Sequence, residues 1–182
     1  MGIFIGVPLG ILMGYFEKVH KSLELLIDFF RSLPSIVLYP VFVIIFGLGV
    51  FSKIAVVVFA SALYIIINTI YGVKYSRESR FMLAKLLRAT KLQTFTKIVI
   101  PSALADIFAG IRTSLSIGLI VTVGSEMIMG GNLGLGKRVL DASMVYNMSE
   151  MYALIIVVGL LGYGSNKIFV FIEDRVIHWR GK

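Results

Sequence analysis

The chain has 182 residues, of which 58% are hydrophobic and 15% are charged, and its mean hydropathy is +0.92. A soluble domain of this length does not need so much apolar side chain to fill one core, so we expect the excess to face lipid. The sequence contains no Cys and only two His. Disulfides, thiolate nucleophiles and Cys-ligated metals are therefore excluded, and neither a His-built metal site nor a cofactor is expected.

The formal net charge is +8, a value that in a soluble protein would suggest nucleic-acid binding. Here the basic residues lie between apolar runs, and no basic patch alternates with aromatic residues that could stack on bases. The sequence also lacks a recognisable Ser/His/Asp arrangement, a pair of catalytic carboxylates or a metal cluster. We therefore expect neither a nucleic-acid-binding protein nor an enzyme.

Five apolar segments are candidates for membrane helices, which need about 20 residues to cross the ~30 Å hydrocarbon layer, or fewer if they are broken. The segments must be helical, because backbone polar groups in lipid need internal partners and no alternating barrel pattern is present. In chain order they are Gly2–Phe16, Ser35–Val50, Ser52–Val73, Ser102–Met129 and Met151–Val170. The sequence thus predicts an all-α membrane protein, a single domain over residues 1–182 with about five spans.

Between the first two segments, Glu17–Leu33 has apolar residues at helical spacing and charged residues on the opposite face. This pattern predicts an amphipathic helix that lies against lipid at the cytoplasmic interface. Pro34 is expected to end it, because proline disfavours the helical conformation of the preceding residue.

The basic residues orient the bundle by the positive-inside rule. On the outer side, only Lys53, Lys137 and Arg138 lie in loops. The C-terminus and the loop between the third and fourth segments are therefore predicted to be cytoplasmic, with Met1 outside, in a cell inner membrane. The residues assigned to the cytoplasmic side are Lys18, Lys21, Arg31, Lys74, Arg77, Arg80, Lys85, Arg88, Lys91, Lys97, Arg175, Arg180 and Lys182.

The cytoplasmic stretch from Lys74 to Lys97 is too long and too patterned for a simple connector. If it is helical, its basic residues fall within one arc of about 140°. One interpretation is a helix held on anionic lipid, where each charge near the surface contributes about 1 kcal/mol. The other is a docking helix for a soluble partner.

The residues of this stretch resemble the EAA loop of the permease subunits of ABC importers. Ala84, Ala89, Gln93, Phe95 and Pro101 match that loop in register, within residues 74–101. The similarity continues along nearly the whole chain, for example in Gly134-Leu-Gly136. The subgroup that the chain most resembles imports nitrate, sulfonates, taurine, bicarbonate or pyrimidine precursors of thiamine.

This resemblance implies a mechanism. The loop would form a short cytoplasmic coupling helix that sits in a groove of a separate ABC ATPase subunit, and two permease copies would form one solute pathway. An extracytoplasmic solute-binding protein would deliver the solute. The family usually has another span before the first segment, so this chain is expected to lack that span. The coupling residues would be Ala84, Arg88, Ala89, Thr90, Gln93, Phe95 and Pro101.

The loop departs from the family pattern at two positions, because Met82 stands where the family has Glu and Arg88 where it has Gly. Glycine adopts a positive φ freely, whereas for another residue that conformation costs about 1–2 kcal/mol. Three alternatives follow. The helix runs straight at Arg88, Arg88 docks against a carboxylate of the ATPase, or the subunit is poorly coupled.

Three polar residues inside the predicted spans are candidates for the solute pathway, namely Asn68, Arg112 and Glu126. Ionisable residues within a span usually face a cavity or a partner, or else extend to the nearer interface. Arg112 would attract the solute if that solute is an anion. Asn68 either lines the pathway or forms a contact between helices.

Residues Gly131–Lys137 satisfy the pattern G-x-x-x-x-G-K of a phosphate-binding loop, but Arg138 follows where Ser or Thr would bind the metal, and no strand precedes. An external loop that contacts the binding protein is the favoured interpretation. For the whole chain, the sequence favours an importer permease for a small anion or zwitterion. The alternatives are an ATP-independent secondary transporter or channel, for which no internal repeat is seen, and a truncated permease remnant that does not transport.

Overall fold

The computed structural model describes residues 1–86, 88–128 and 133–177, with side chains described outside positions 75–87. In these residues the chain is helical and contains no strand, as predicted for an all-α protein. The helices are α1 (Gly2–Tyr15), α2 (Glu17–Ser32), a 3-10 turn (Ser35–Leu38), α3 (Tyr39–Phe46), α4 (Val50–Leu86), α5 (Lys91–Thr94), a π-helical turn (Phe95–Val99), α6 (Ile100–Ile128), α7 (Leu135–Met144) and α8 (Met148–Val176).

Three helical stretches are long and apolar enough to cross a membrane, and they correspond to the third, fourth and fifth predicted segments. The predicted end of the fourth segment, Met129, lies outside the described residues. The first predicted segment forms α1, an apolar helix of 14 residues. At about 1.5 Å per residue this helix is about 21 Å long. The long stretches are Val50–Lys74, Lys91–Ile128 and Met148–Val176.

The second predicted segment is not a continuous span. After the 3-10 turn, α3 has only eight residues and ends where Gly47 takes a φ of +78°. The pair Glu17–Ser32 and Ser35–Phe46 is bent by 93°, so the described residues contain three candidate spans, or four if this pair counts as one. The predicted number of about five is therefore approximate, because α1 has only 14 residues and a positive-φ glycine stops the second segment short.

The amphipathic helix was predicted closely. Helix α2 covers Glu17–Ser32, and Leu33 is already extended (φ −85°, ψ 130°) before Pro34. The basic and acidic residues of α2 pair along its exposed face, as Lys21 Nζ does with Glu17 Oε1 at 3.0 Å. Its position in the membrane interface stays a prediction.

Helices α1 and α4 pack with their backbones close together, because glycine occurs at every fourth position of α1. A Cβ atom added at Gly10 would lie 2.5 Å from the Cβ of Thr69, a distance that real contacts do not reach. Small residues at such spacing let membrane helices approach closely. The matching pairs along the two helices are Gly2 with Ser61, Gly6 with Ile65, Gly10 with Thr69 and Gly14 with Val73.

Helix α4 also packs against α6, where Gly72 and Gly110 are in close contact with Asp106 and Asn68. A buried cluster that includes Ile65, Val73 and Ile107 joins α1, α4 and α6. Helix α8 is different, since Leu154 is its only buried residue. Two regions of the molecule thus differ in packing. Helices α1, α4 and α6 form a tightly packed group, whereas α8 is loosely attached and contacts α6 and α7.

Candidate functional site

The predicted coupling segment is a broken helical connection between α4 and α6. Helix α4 ends at Leu86, and Arg88 takes a φ of +50°, the left-handed conformation that favours glycine. The first alternative, a helix that runs straight through Arg88, is therefore wrong. Arg88 thus adopts a conformation that glycine takes freely, at the conformational cost that a side chain carries there.

A new helix, α5, begins at Lys91 and is preceded by a capping box at Thr90. The hydroxyl of Thr90 accepts a hydrogen bond from Gln93 N at 3.2 Å, and Thr90 N donates to Gln93 Oε1 at 3.0 Å. This reciprocal pair satisfies backbone donors that the first turn of a helix leaves free. The Gln93 side chain is thus held by its own helix, which fixes the short, exposed α5.

The connection from α5 to α6 contains a π-helical turn, Phe95–Val99, which ends two residues before Pro101. Proline has no N–H and its ring collides with the carbonyl four residues earlier, so a wider turn at this place is physically reasonable. The ring of Phe95 packs edge-to-face on Tyr15 of α1, with centroids 5.0 Å apart. Phe95 therefore links the coupling segment to the tightly packed group.

Two other predicted loop residues have different surroundings. Ala89 is half-buried at the turn. The side chains of Ala84 and Met82 lie outside the described part of the structure. Leu92 was not singled out in the sequence, yet its apolar side chain is 72% exposed on α5. A single leucine among polar residues gives no sequence signal until the helix is known to be short and exposed.

Arg112 lies in a polar groove of about 630 Å³ between α6 and α8. Its Nε donates a hydrogen bond to Asn166 Oδ1 at 3.0 Å. In a membrane protein an exposed arginine within a span is costly unless it faces water or a partner, so this groove is a candidate for contact with solute. The other residues that line the groove are Ala109, Thr113, Ser116, Ile117, Gly162, Tyr163 and Glu173.

Glu126 lies at the other end of α6 and is held by two partners. Its Oε1 is 3.7 Å from Lys53 Nζ, and its Oε2 accepts a hydrogen bond from Gly136 N at 2.9 Å. The side chains of Glu126 and Lys53 are only 14% and 16% exposed. We call Lys53, Glu126 and Gly136 the outer cluster, and it joins the start of α4, the end of α6 and the start of α7.

Glycine is required at Gly134, which precedes α7 with a φ of +147°. A Cβ atom there would overlap the carboxyl group of Glu126. The carboxylate also lies at the N-terminus of α7, where the helix dipole favours negative charge. The segment that resembles a phosphate-binding loop begins outside the described residues. Gly134 and Gly136, near its end, contact the carboxyl group of Glu126 of the same chain.

Asn68 lies where α4 meets α6. Its Nδ2 donates to the carbonyl of Tyr64 on its own helix at 2.8 Å, and its Cβ faces Gly110. The three candidate pathway residues do not form one site. Arg112 and Glu126 are 14 positions apart on α6, which corresponds to about 21 Å along the helix.

The chain matches the family described as binding-protein-dependent transport system inner membrane component over residues 6–178. It belongs to that family. The resemblance seen in the sequence is thereby confirmed. Proteins similar to this chain are named as transport permease proteins.

Among similar proteins, a putative ABC transporter permease protein of Methanocaldococcus jannaschii is 33% identical over 97% of this chain. A putative aliphatic sulfonates transport permease protein of Bacillus subtilis is 28% identical over 99% of the chain, and a nitrate import permease protein of Leptolyngbya laminosa is 29% identical over 97%. The chain spans 66%, 65% and 63% of the lengths of these three relatives, respectively.

Proposed function

We propose that this chain is the permease subunit of an ABC importer that moves a small anion or zwitterion across the inner membrane, with energy from a separate ATPase. The single observation that carries this proposal is the coupling segment. A short, capped and exposed helix, α5, lies between α4 and α6, two helices long and apolar enough to cross a membrane. A partner that displaces α5 would act on both helices at once.

The length of α4 supports this assignment. Its 37 residues correspond to about 55 Å, well beyond the ~30 Å hydrocarbon layer. The end of α4 and α5 would therefore project from the membrane, where a soluble ATPase can reach them. Phe95 would pass the displacement to α1 through its contact with Tyr15.

The orientation and the remaining partners belong to the same proposal. By the positive-inside rule the coupling segment and the C-terminus lie in the cytoplasm, and the outer cluster then lies on the opposite side. A second copy of the chain would complete the pathway. A solute-binding protein would dock on the outer side, near α7, at the external loop to which Gly131–Lys137 would then belong.

The solute class rests on relatives and on charge. Two of the relatives are named for sulfonates and nitrate. Arg112 places a guanidinium in the groove between α6 and α8, where a charge within a span needs water or a partner. We assign Arg112 to the pathway. The geometry of Asn68 and Glu126 favours contacts that hold helices together, with any contact to solute secondary.

The coupling role can be tested by copurification. Leu92→Asp introduces a charge on the exposed face of α5, and we expect it to reduce recovery of a co-expressed ABC ATPase at least about tenfold, the effect of about 1.4 kcal/mol. Val145→Asp is the matched control, because Val145 is also 72% exposed but lies in the turn between α7 and α8. Equal recovery with both variants and the wild type would contradict the proposed docking site.

A further inference from the structure

The arginine of the α6–α8 groove is oriented by a residue on the neighbouring helix. Asn166 accepts through Oδ1 the hydrogen bond that Arg112 donates from Nε, at 3.0 Å. A guanidinium is planar and its donors have fixed directions. When Nε is engaged in this way, the two Nη groups at the end of the side chain are the donors that remain to bind something else.

The rest of the groove supplies hydroxyl groups. Ser116 lies one turn after Arg112 on α6, and Tyr163 lies one turn before Asn166 on α8, and both line the groove. The hydroxyl of Thr113 already donates to the carbonyl of Ala109 at 3.0 Å, so the hydroxyl groups that the groove offers to a ligand as donors are those of Ser116 and Tyr163. A guanidinium beside hydroxyl donors suits an oxyanion, because oxyanions need several N–H and O–H partners and pair well with the planar fork of arginine.

One acidic residue, Glu173, also lines the groove. It is seven positions after Asn166 on α8, which corresponds to about 10 Å along the helix. The negative charge therefore lies toward the C-terminal end of α8, two turns from the hydrogen bond between Arg112 and Asn166. The end of the groove at Arg112 is the end that attracts an anion.

We propose that Asn166 is a positioning residue that directs the Nη groups of Arg112 into the groove, where they bind two oxygens of a small oxyanion in transit. This inference rests on the proposed function and adds the chemical group that is recognised. A neutral amide is the suitable partner, because it fixes the guanidinium without cancelling its charge. A carboxylate at the same position would hold Arg112 more strongly but would compete with the anion.

The test uses the complete importer, with its ATPase and solute-binding protein, in proteoliposomes. Nitrate, taurine and bicarbonate are the probes, and the variants are measured with the probe that the wild type accumulates fastest, at a saturating concentration of binding protein. We expect Asn166→Asp to reduce uptake per ATP hydrolysed at least about tenfold. The new carboxylate would compete for the guanidinium of Arg112, and the transported anion would lose one charge-assisted hydrogen bond to it. The melting temperature of the same variant should be equal to that of the wild type or higher.

Two further variants separate positioning from packing. Asn166→Leu should lower uptake to a similar degree, and Lys167→Gln, which changes the next residue on α8 and lies outside this groove, should leave uptake within about twofold of the wild type. Wild-type uptake with Asn166→Asp would overturn the inference, since a purely structural residue tolerates a stronger ionic partner. If the wild-type importer took up none of the three probes, the inference would be overturned as well. Failure of the ATPase to assemble with the wild-type chain would instead refute the proposed function.

Discussion

The contacts of α4 with α1 and the contacts of α6 with α8 are opposite solutions to packing helices in lipid. In the first, four glycines bring two backbones close together, and a Cβ added at Gly6, Gly10 or Gly14 would collide with α4. In the second, α8 buries only Leu154, and a polar groove separates the helices near Arg112. Lipid does not drive helices together as water does, so a tight contact requires close van der Waals packing. A loose one leaves polar groups that need water or a partner.

This difference suits the two regions to different mechanical roles. The group α1, α4 and α6 can transmit displacement as a unit, because close-packed side chains and backbones transmit strain. The α6–α8 side can open or close at lower cost, since few buried contacts are lost there. The proposed coupling segment is attached to the first group through Phe95, whereas the groove that we assign to the solute lies at the border of the second.

The largest expected effect is the loss of the close contact between α1 and α4. Gly10→Leu would place a side chain where even a Cβ atom lies 2.5 Å from Thr69, and should destabilise the bundle by about 3 kcal/mol or more. Gly159→Leu on α8 is the matched control, because nothing lies within 4 Å of a Cβ there. Thermal unfolding in detergent measures both. Equal destabilisation by the two variants would break the comparison between the regions.

A smaller effect is expected at the outer cluster, which belongs to the tightly held side. Lys53→Met should destabilise the protein by about 2 kcal/mol, because the carboxylate of Glu126 remains largely buried without its cation. Adding Glu126→Gln should recover part of the loss, since the buried charge is then gone. A double-mutant cycle from thermal unfolding gives the interaction energy. Additive losses would mean that the 3.7 Å pair contributes nothing.

The smallest expected effect is at the joint between α4 and α5, and it is a gain in stability. Arg88→Gly should raise the free energy of unfolding by about 0.5–1 kcal/mol, because glycine adopts a φ of +50° without strain. Tyr146→Gly is the matched control, as Tyr146 has a φ of +54° in the turn before α8. If only Arg88→Gly destabilises the protein, the arginine side chain makes a stabilising contact that outweighs its backbone strain.

Much of the fold could be predicted because its signals are local. The excess of apolar residues predicted a membrane bundle, and the spacing within Glu17–Leu33 predicted α2 to within one residue of its end. The second segment was harder, because its apolar residues continue past the place where Gly47 and Gly49 take positive φ values and end the helix. Hydropathy reports which residues avoid water and does not report where the backbone turns.

The candidate site was predicted only in part. Arg112 stood out because a charge within an apolar run is costly, but Asn166 had no such signal and gained importance only when the fold brought it to 3.0 Å from Arg112. Glu126 was singled out for the same reason as Arg112, and its partners, Lys53 and Gly136, are 73 and ten positions away along the chain. Sequence spacing alone cannot pair residues that different helices carry.

By itself, the sequence determined that this protein is a lipid-embedded helical bundle with a patterned basic connection, because composition and periodicity act on each segment separately. The tertiary structure alone decided which face of each helix is packed and which is open. It matched the glycines of α1 to α4, placed a carboxylate at the start of α7 and left a polar groove beside α8. These outcomes depend on distances between segments remote in sequence, and such distances arise only when the helices pack.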